Sequence, residues 1–160
     1  MITTPEAMGA MDDERITELF RQQWASLVTL AGVMTGSTQI AEELVQDAFL
    51  NLQQQIGPIT YPEAYLRTAV VNLCRSYYRR RGVERRHAPG QHQRLVLEDP
   101  ELDETWALVC ALPVRQRAVL ALRFYHDLSE AQIAETLGCR IGTVKSSLHR
   151  GLKELRRRLS

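Results

Sequence analysis

A stretch near the C-terminus carries side chains suited to chemistry with a polyanion. Its apolar residues recur every three or four positions, which predicts an amphipathic helix that begins near Gly142. The opposite face combines basic groups with short polar ones: Thr143, Lys145, Ser146, Ser147, His149 and Arg150. Basic groups neutralise phosphates, and short polar groups reach base edges in a groove. Residues 140–160 hold seven Lys or Arg against one acid, so this face predicts contact with DNA.

The residues before this helix predict a helix-turn-helix. Ser129 and Gln132 have the spacing of a capping box, and Gly138 is placed to end that helix in a left-handed conformation. A second helix after such a short turn is typical of major-groove readers. Its inward stripe is predicted to contain Ile141, Val144, Leu148, Leu152, Leu155 and Leu159. The alternative is an ordinary helical hairpin with a solvated basic face.

A second basic helix is predicted from about Pro62 to Arg80. Its exposed side mixes arginines with Asn72, Ser76 and Tyr78, and residues such as Tyr65 and Tyr77 are expected to face inward. Aromatic rings stack on unpaired bases and arginines follow phosphates, so this helix suits single-stranded DNA. A basic helix end favoured by the helix dipole is the alternative.

An acidic amphipathic helix precedes it, capped at Ser37 or Thr38. Its outer face carries Glu42, Glu43, Gln46, Asp47 and Asn51. This face is either solvated or a docking surface for a basic partner helix, and periodicity does not choose between the two. Three other helices are expected: one over residues 12–34 with Phe20 on its inner face, a short one that begins at Asp99-Pro100 and ends at Leu112-Pro113, and one over residues 114–125 that buries Tyr125.

Charge alternates in blocks that divide the 160-residue chain into two halves. The net charge is −7 over residues 1–66, +7 over 67–94, −5 over 95–139 and +6 over 140–160. Strand-like alternation does not persist anywhere, so the predicted class is all-α: two small helical domains joined by a flexible linker. The expected boundaries are a disordered leader at 1–11, an N-terminal domain at 12–81, a linker at 82–98 and a C-terminal domain at 99–160 that holds the helix-turn-helix.

Several function classes lack support in the sequence. No apolar run approaches the roughly 20 residues of a membrane span, and the N-terminus does not resemble a secretory signal. The three cysteines are far apart and match no metal spacing. Neither a P-loop nor a dinucleotide, nucleophile-elbow or zinc-protease motif occurs. We therefore expect a cytoplasmic protein that is not an enzyme and needs no cofactor, metal or small-molecule substrate.

Three stretches in order resemble a bacterial RNA polymerase sigma factor of the extracytoplasmic-function (ECF) branch. They are AEELVQDAFLNL (residues 41–52), AYLRTAVVNLCRSYYRRR (residues 64–81) and the block from LPVRQRAVL to GTVKSSLHRGLKELR (residues 112–156). The resemblance covers about residues 12–158. It implies that the partners are core RNA polymerase, promoter DNA and an anti-sigma factor, and that the protein directs transcription initiation in a stress or envelope response.

The resemblance also implies roles for individual residues. The polymerase-docking helix would use Glu42, Glu43, Leu44, Gln46, Asp47 and Phe49. The reader of the minus-ten element would use Asn72, Arg75, Tyr77, Tyr78, Arg79 and Arg80, with residues 55–61 as a wall of a flipped-base pocket. The reader of the minus-thirty-five element would use Arg123, Thr143, Lys145, Ser146, His149 and Arg150.

This chain departs from the family pattern at several positions. Tyr65 stands where Trp is usual, Ser76 where Asp is usual, and Gly151 where Ala is common. Val71 and Ser147 stand where Arg is usual or common, so we expect weaker phosphate contact or a shifted promoter preference. Two other hypotheses are a helix-turn-helix regulator that acts without replacing sigma, and a sigma mimic that sequesters an anti-sigma factor. The regulator leaves the second basic helix and the acidic face unexplained.

Overall fold

Three helices form the N-terminal domain. The computed structural model describes residues 12–55, 59–85 and 103–160, and within them α1 is Asp13–Thr35, α2 is Thr38–Gln54 and α3 is Pro62–Arg85. The Asp12 carboxylate caps α1 by accepting from the Arg15 backbone N–H at 2.8 Å, and Ser37 caps α2 through the N–H of Ile40. Gly36 ends α1 with φ 78°, a conformation that costs glycine little. The short α1–α2 connection therefore follows from local cap chemistry.

The core of this domain is a layer of aliphatic side chains shared by the three helices. Leu27 and Leu30 of α1, Leu52 of α2, and Leu66 and Val70 of α3 are almost completely inaccessible to water. Burial of each such side chain stabilises the fold by roughly 1.5–3 kcal/mol before entropy is counted. The shared core fixes the outward faces of α2 and α3 relative to each other.

Four helices and a π-helical turn form the described part of the C-terminal domain, residues 103–160. They are α4 (Asp103–Cys110), α5 (Val114–Leu120), the π-helical turn (Ala121–Tyr125), α6 (Glu130–Leu137) and α7 (Ile141–Leu159). Its core contains Val119, Leu122, Ile133 and Val144, all fully buried. The predicted all-α class with two helical domains is confirmed.

The predicted single helix over residues 114–125 was wrong at its end. After Leu120 the backbone widens into the π-helical turn, where the His126 N–H donates to the Ala121 carbonyl at 3.2 Å. The wider turn changes the direction of the last side chains, so Phe124 and Tyr125 are exposed and the expected burial of Tyr125 was also wrong. Asp127 then takes φ 55° and leads into α6.

The inward face of α7 differs from the predicted stripe. Ile141 and Leu159 are exposed, whereas Ser147 and Gly151 are buried with Val144. Small residues are needed here because α7 packs closely on α5, and a Cβ added at Gly151 would lie 3.1 Å from Leu120 Cδ1. The register of the buried face is therefore set by small residues as well as by leucines.

The predicted domain boundaries stay predictions. Helix α3 continues to Arg85, beyond the predicted end of the N-terminal domain at residue 81 and into the predicted linker. The predicted leader at 1–11, most of the predicted linker and the predicted start of the C-terminal domain at residue 99 lie outside the described residues.

Candidate nucleic-acid interface

The helix-turn-helix is built from a capping box and a left-handed glycine. The Ser129 hydroxyl accepts from the Gln132 N–H at 3.1 Å, and the Ser129 N–H donates to the Gln132 side-chain oxygen at 2.9 Å. Gly138 ends α6 with φ 65°, and α7 begins three residues later. Both predicted signals are confirmed, and together they fix the angle at which α7 leaves the turn.

The outward face of α7 presents most of the predicted duplex-reading side chains. Lys145, Ser146, His149 and Arg150 are exposed and Thr143 is half-buried. Lys145 lies 3.9 Å from the Glu130 carboxylate, and its side chain is 63% exposed. An ion pair of that length at the surface contributes about 0–1 kcal/mol, so a phosphate can replace the carboxylate as the partner of Lys145 at little cost.

Two departures from the family pattern lie at buried positions. Ser147 is 7% exposed and Val71 is fully buried, so neither position faces the solvent side of its helix. Burial at both positions argues against a phosphate contact from either one, and the expected shift in promoter preference stays a prediction. Ser147 instead allows close packing of α7, and Val71 fills the core of the N-terminal domain.

The last turns of α7 carry less free positive charge than their composition suggests. Arg157 donates to Glu154 at 2.7 Å and Arg158 donates to the same carboxylate at 2.8 Å. Hydrogen bonds from Arg157 and Arg158 lower the pKa of Glu154 to about 2. The Glu154 carboxylate therefore offsets part of the positive charge at the C-terminal end of α7.

Arg123 lies at the end of the π-helical turn and is held by the start of the helix-turn-helix. Its Nη1 donates to the Leu128 carbonyl at 2.9 Å, while the residue as a whole is exposed. A guanidinium has five N–H donors, so this bond fixes its position and leaves donors for a phosphate.

The predicted single-strand reader occupies the second half of α3. Asn72, Arg79 and Arg80 are exposed, and Tyr77 and Tyr78 are half-buried. The Tyr77 hydroxyl accepts from Arg81 Nη1 at 2.9 Å, and the Arg81 guanidinium also lies 5.8 Å from the Tyr77 ring centroid. These contacts limit the rotation of Tyr77, which makes Tyr78 the more available ring for stacking.

Arg75 makes a hydrogen bond to the other domain. Its Nη2 donates to the backbone carbonyl of Leu137 at 2.6 Å. Leu137 belongs to the helix-turn-helix, so this hydrogen bond joins the two predicted DNA-reading regions directly.

The loop before α3 is described only at its ends. Tyr61 is exposed, and the Tyr65 hydroxyl donates to the Gln55 side-chain oxygen at 3.4 Å. Residues 56–58 of the predicted pocket wall lie outside the described part of the chain.

The acidic face of α2 is exposed and lies over buried apolar side chains. Glu42, Glu43, Gln46 and Asp47 are exposed along the helix, whereas the predicted docking residues Leu44 and Phe49 are buried and support this face from below.

Leu50 and Phe20 form an apolar margin beside the acidic face of α2, which the sequence pattern did not reveal. Leu50 is 51% exposed and lies one helical turn beyond Gln46 and Asp47. Phe20 is 41% exposed, which corrects its predicted inward position, and its ring lies 4.7 Å from Trp24 and 5.1 Å from Phe49 between centroids. Spacing along α2 could have found Leu50, but Phe20 reaches this margin only through packing between helices.

Other kinds of site have no support among the described residues. No described group of three His, Cys, Asp or Glu side chains is placed to hold a metal ion. No helix in the described ranges is long and apolar enough to cross a membrane. Burial raises the pKa of the Cys74 thiol to about 12, so that thiol is protonated and unreactive where it lies.

Comparison with known proteins identifies both domains. Residues 19–83 match the family model of Sigma-70 region 2, and residues 102–155 match that of Sigma-70 region 4. The ECF RNA polymerase sigma factor SigE of Mycolicibacterium smegmatis is 33% identical over 153 residues, which cover 87% of this chain and 59% of that protein. The chain thus spans less than two thirds of that relative's length.

Two further relatives match over more of their own length. The ECF RNA polymerase sigma factor EcfG of Rhodopseudomonas palustris is 32% identical over 81% of this chain and 77% of its own. The ECF RNA polymerase sigma factor SigM of Mycobacterium tuberculosis is 31% identical over 94% of this chain and 80% of its own.

A solved structure shares the fold. The sigma factor RpoE of Bartonella quintana, crystallised with the anti-sigma factor NepR, superposes with a TM-score of 0.75 at 24% identity over 91% of this chain and 97% of that one. With both region models matched in order and curated relatives above 30% identity, the chain belongs to the ECF family of RNA polymerase sigma factors.

Proposed function

We propose that this chain binds core RNA polymerase and directs it to specific promoters, without catalysing a reaction itself, in the cytoplasm where transcription takes place. The observation that supports this best is the distribution of charge on the folded chain. An acidic row on α2, a basic and aromatic face on α3, and a basic and polar face on α7 lie on three different helices. A regulator that bound only an operator would need the last of these surfaces alone.

The N-terminal domain, proposed to begin at residue 12, would dock on polymerase and read the minus-ten element. Glu42, Glu43 and Asp47 project from α2 as an exposed acidic row, which suits a basic coiled coil on the polymerase. The apolar margin beside that row would add hydrophobic contact to a charge-steered encounter.

The exposed side of α3 would hold the strand that separates at the minus-ten element. Extruding a base costs a few kcal/mol of stacking and pairing. Stacking on an aromatic ring returns about 1–3 kcal/mol per base, and Tyr78 is a half-buried ring that lines the same cleft as Arg75 and Arg79. The strand would run past Asn72, Arg79 and Arg80.

The C-terminal domain would hold the upstream duplex at the minus-thirty-five element. Lys145 and Arg150 would contact phosphates, and Ser146 and His149 would face base edges in the major groove. Arg123, fixed by the Leu128 carbonyl at 2.9 Å, would hold a phosphate beside the groove.

We also propose that an anti-sigma protein controls this chain, in a stress or envelope response. The structural neighbour was crystallised with an anti-sigma factor, and this chain presents a cleft between its two domains that a partner could occupy.

Charge reversal on α2 tests polymerase docking. Glu43→Lys with Asp47→Lys changes the charge of the acidic row by four units, and we expect holoenzyme assembly to weaken at least tenfold in a pull-down or anisotropy titration with core polymerase. Glu14→Lys with Glu18→Lys makes the same change in charge on the exposed side of α1 and should leave assembly near the wild-type level.

Intact assembly by the α2 variant, with its helix content unchanged, would show that the docking face is elsewhere. Specific operator binding by the wild-type chain without polymerase would instead favour a regulator that does not replace sigma.

A further inference from the structure

A charged hydrogen bond crosses from α3 to the end of α6. The Arg75 guanidinium donates to the carbonyl of Leu137, the last residue of α6, at 2.6 Å. Carbonyls in the last turn of a helix have no partner within that helix, and the helix dipole makes this end negative. A cation that donates to such a carbonyl makes a stronger hydrogen bond than a neutral pair.

A second polar contact joins the same two domains at another place. The His126 Nε2 atom, just after the π-helical turn, lies 3.1 Å from the Ser26 carbonyl of α1. His126 is half-buried between these elements. Together with the apolar packing of α1 on α5 and of α3 on α6, the two contacts hold the C-terminal domain against both α1 and α3, so the domains do not meet at a single hinge point.

A cleft of about 680 Å³ lies between α3 and the helix-turn-helix turn. One wall contains Asn72, Arg75, Tyr78 and Arg79, which are four of the six residues assigned to the minus-ten element. Leu137 and its neighbours in the turn form part of the other wall. The proposed strand-reading face of α3 is thus covered in part by the proposed duplex reader.

The charges around this cleft oppose its closure. Its described lining includes Arg75, Arg79 and Arg115 and contains no carboxylate. Like charges brought together in a partly enclosed space repel one another. The phosphates of a DNA strand would neutralise these arginines. The positive charge of the cleft therefore disfavours the closed form and favours a form in which the cleft is open to DNA.

The proposed function requires a different arrangement of the domains on a promoter. The centres of the minus-ten and minus-thirty-five elements are about 25 base pairs apart, which is about 85 Å at 3.4 Å per base pair. In this structure, residues of the two readers are in hydrogen-bond contact. The chain between Arg85 and Asp103 has enough residues to span up to about 60 Å, so the domains can separate without unfolding.

We propose that Arg75 is a closing contact of the free protein as well as a DNA-binding residue, and that it exchanges the Leu137 carbonyl for a promoter phosphate when the domains separate. The same guanidinium cannot occupy both places, so closure and promoter binding compete. The competition with DNA rests on the proposed function, whereas the closing contact does not.

Arg75→Ala removes the contact, and Arg80→Ala is the matched control because Arg80 is an exposed arginine of the same helix. A hydrogen bond to a charged group contributes enough to shift the ratio of closed to open molecules by roughly 10- to 100-fold. A closed chain of this length has a radius of gyration of about 15 Å, and two 11 Å domains with centres about 33 Å apart give about 20 Å. X-ray scattering should give Arg75→Ala a radius of gyration above that of the wild type and below or at the larger value, while Arg80→Ala should match the wild type.

A second measurement detects opening even when the closed form still predominates. Cys74 lines the cleft and is 1% exposed. With Cys110 and Cys139 replaced by serine, the rate at which a disulfide reagent modifies Cys74 should rise 10- to 100-fold in Arg75→Ala and stay at the wild-type level in Arg80→Ala. Arg75→Lys keeps the charge in a different geometry and should give an intermediate rate.

The outcomes separate this inference from the proposed function. If Arg75→Ala matches Arg80→Ala in both scattering and thiol modification, the closing contact is refuted. If Arg75→Ala opens the chain but wild-type holoenzyme fails to bind any promoter, the contact stands and the proposed function fails. Adding a single-stranded oligonucleotide should increase the radius of the wild type, and an unchanged radius with the DNA bound would refute the exchange.

Discussion

Removal of two cations from α7 should reduce the salt dependence of promoter binding by a calculable amount. Lys145 and Arg150 are exposed on the groove-facing side, and the 3.9 Å pair between Lys145 and Glu130 is too weak to neutralise the lysine. Each phosphate contact that is lost lowers the slope of log affinity against log salt by about 0.9. Lys145→Ala with Arg150→Ala should therefore lower the slope by about 1.8.

This change in slope is large enough to measure. Between 50 and 200 mM salt, the affinity deficit of the double variant relative to wild type should shrink by about 12-fold. Fluorescence anisotropy of holoenzyme on the upstream duplex of a promoter occupied in the cell gives both slopes.

The control removes the same charge from another domain. Arg15→Ala with Arg21→Ala takes two exposed cations from α1 and should leave the slope unchanged. Equal slopes for wild type and the α7 variant would remove this face from the interface and refute the reasoning.

Two further predictions concern stability. Gly151→Ala should stabilise the protein in urea unfolding by less than the roughly 1 kcal/mol that helix propensity alone would give, because the added Cβ must displace the end of the Leu120 side chain, 3.1 Å away; a loss of stability would show that Leu120 cannot move. Burial, together with the nearby charge of Arg67, lowers the pKa of His126 despite its backbone hydrogen bond, so the neutral ring is the form that the fold favours. Its contribution is present above about pH 6.5 and is lost as the pH falls toward the lowered value, so the urea midpoint should decrease in that range, and His126→Gln should flatten the decrease; an equal decrease in the variant would contradict this origin.

The sequence predicted helix ends well because their causes are local. Ser37 and Ser129 cap helices through backbone groups three residues away, and Gly36 and Gly138 end helices by a conformation of their own backbone. No distant part of the chain is needed for these signals to act. The outward position of Lys145 followed in the same way from the period of α7.

The wrong predictions concern the burial of side chains, because helices distant in the sequence determine which face of a helix is covered. Ser147 is polar, so its burial follows only from the close approach of α7 to α5. Phe20 was expected on the inner face of α1, but its side chain remains 41% exposed beside Trp24 and Phe49. Period alone does not give the width of a buried face, because that width depends on the neighbouring helices.

The contact made by Arg75 could not be predicted from side-chain patterns. Its partner is a backbone carbonyl 62 residues further along the chain. Every residue carries a backbone carbonyl, so the sequence does not mark Leu137 as the acceptor. Basic and aromatic composition correctly indicated an exposed cationic face on α3, but it contained no information about which parts of that face the other domain covers.

Run-off transcription with purified core polymerase tests the central claim most directly. A template carrying a promoter occupied in the cell should give a specific transcript when both core polymerase and this chain are present, and none when either is omitted. Glu43→Lys with Asp47→Lys should abolish that transcript. Specific binding of the chain to the same DNA without polymerase, together with no transcript from the combined proteins, would contradict the assignment of this chain as an initiation factor.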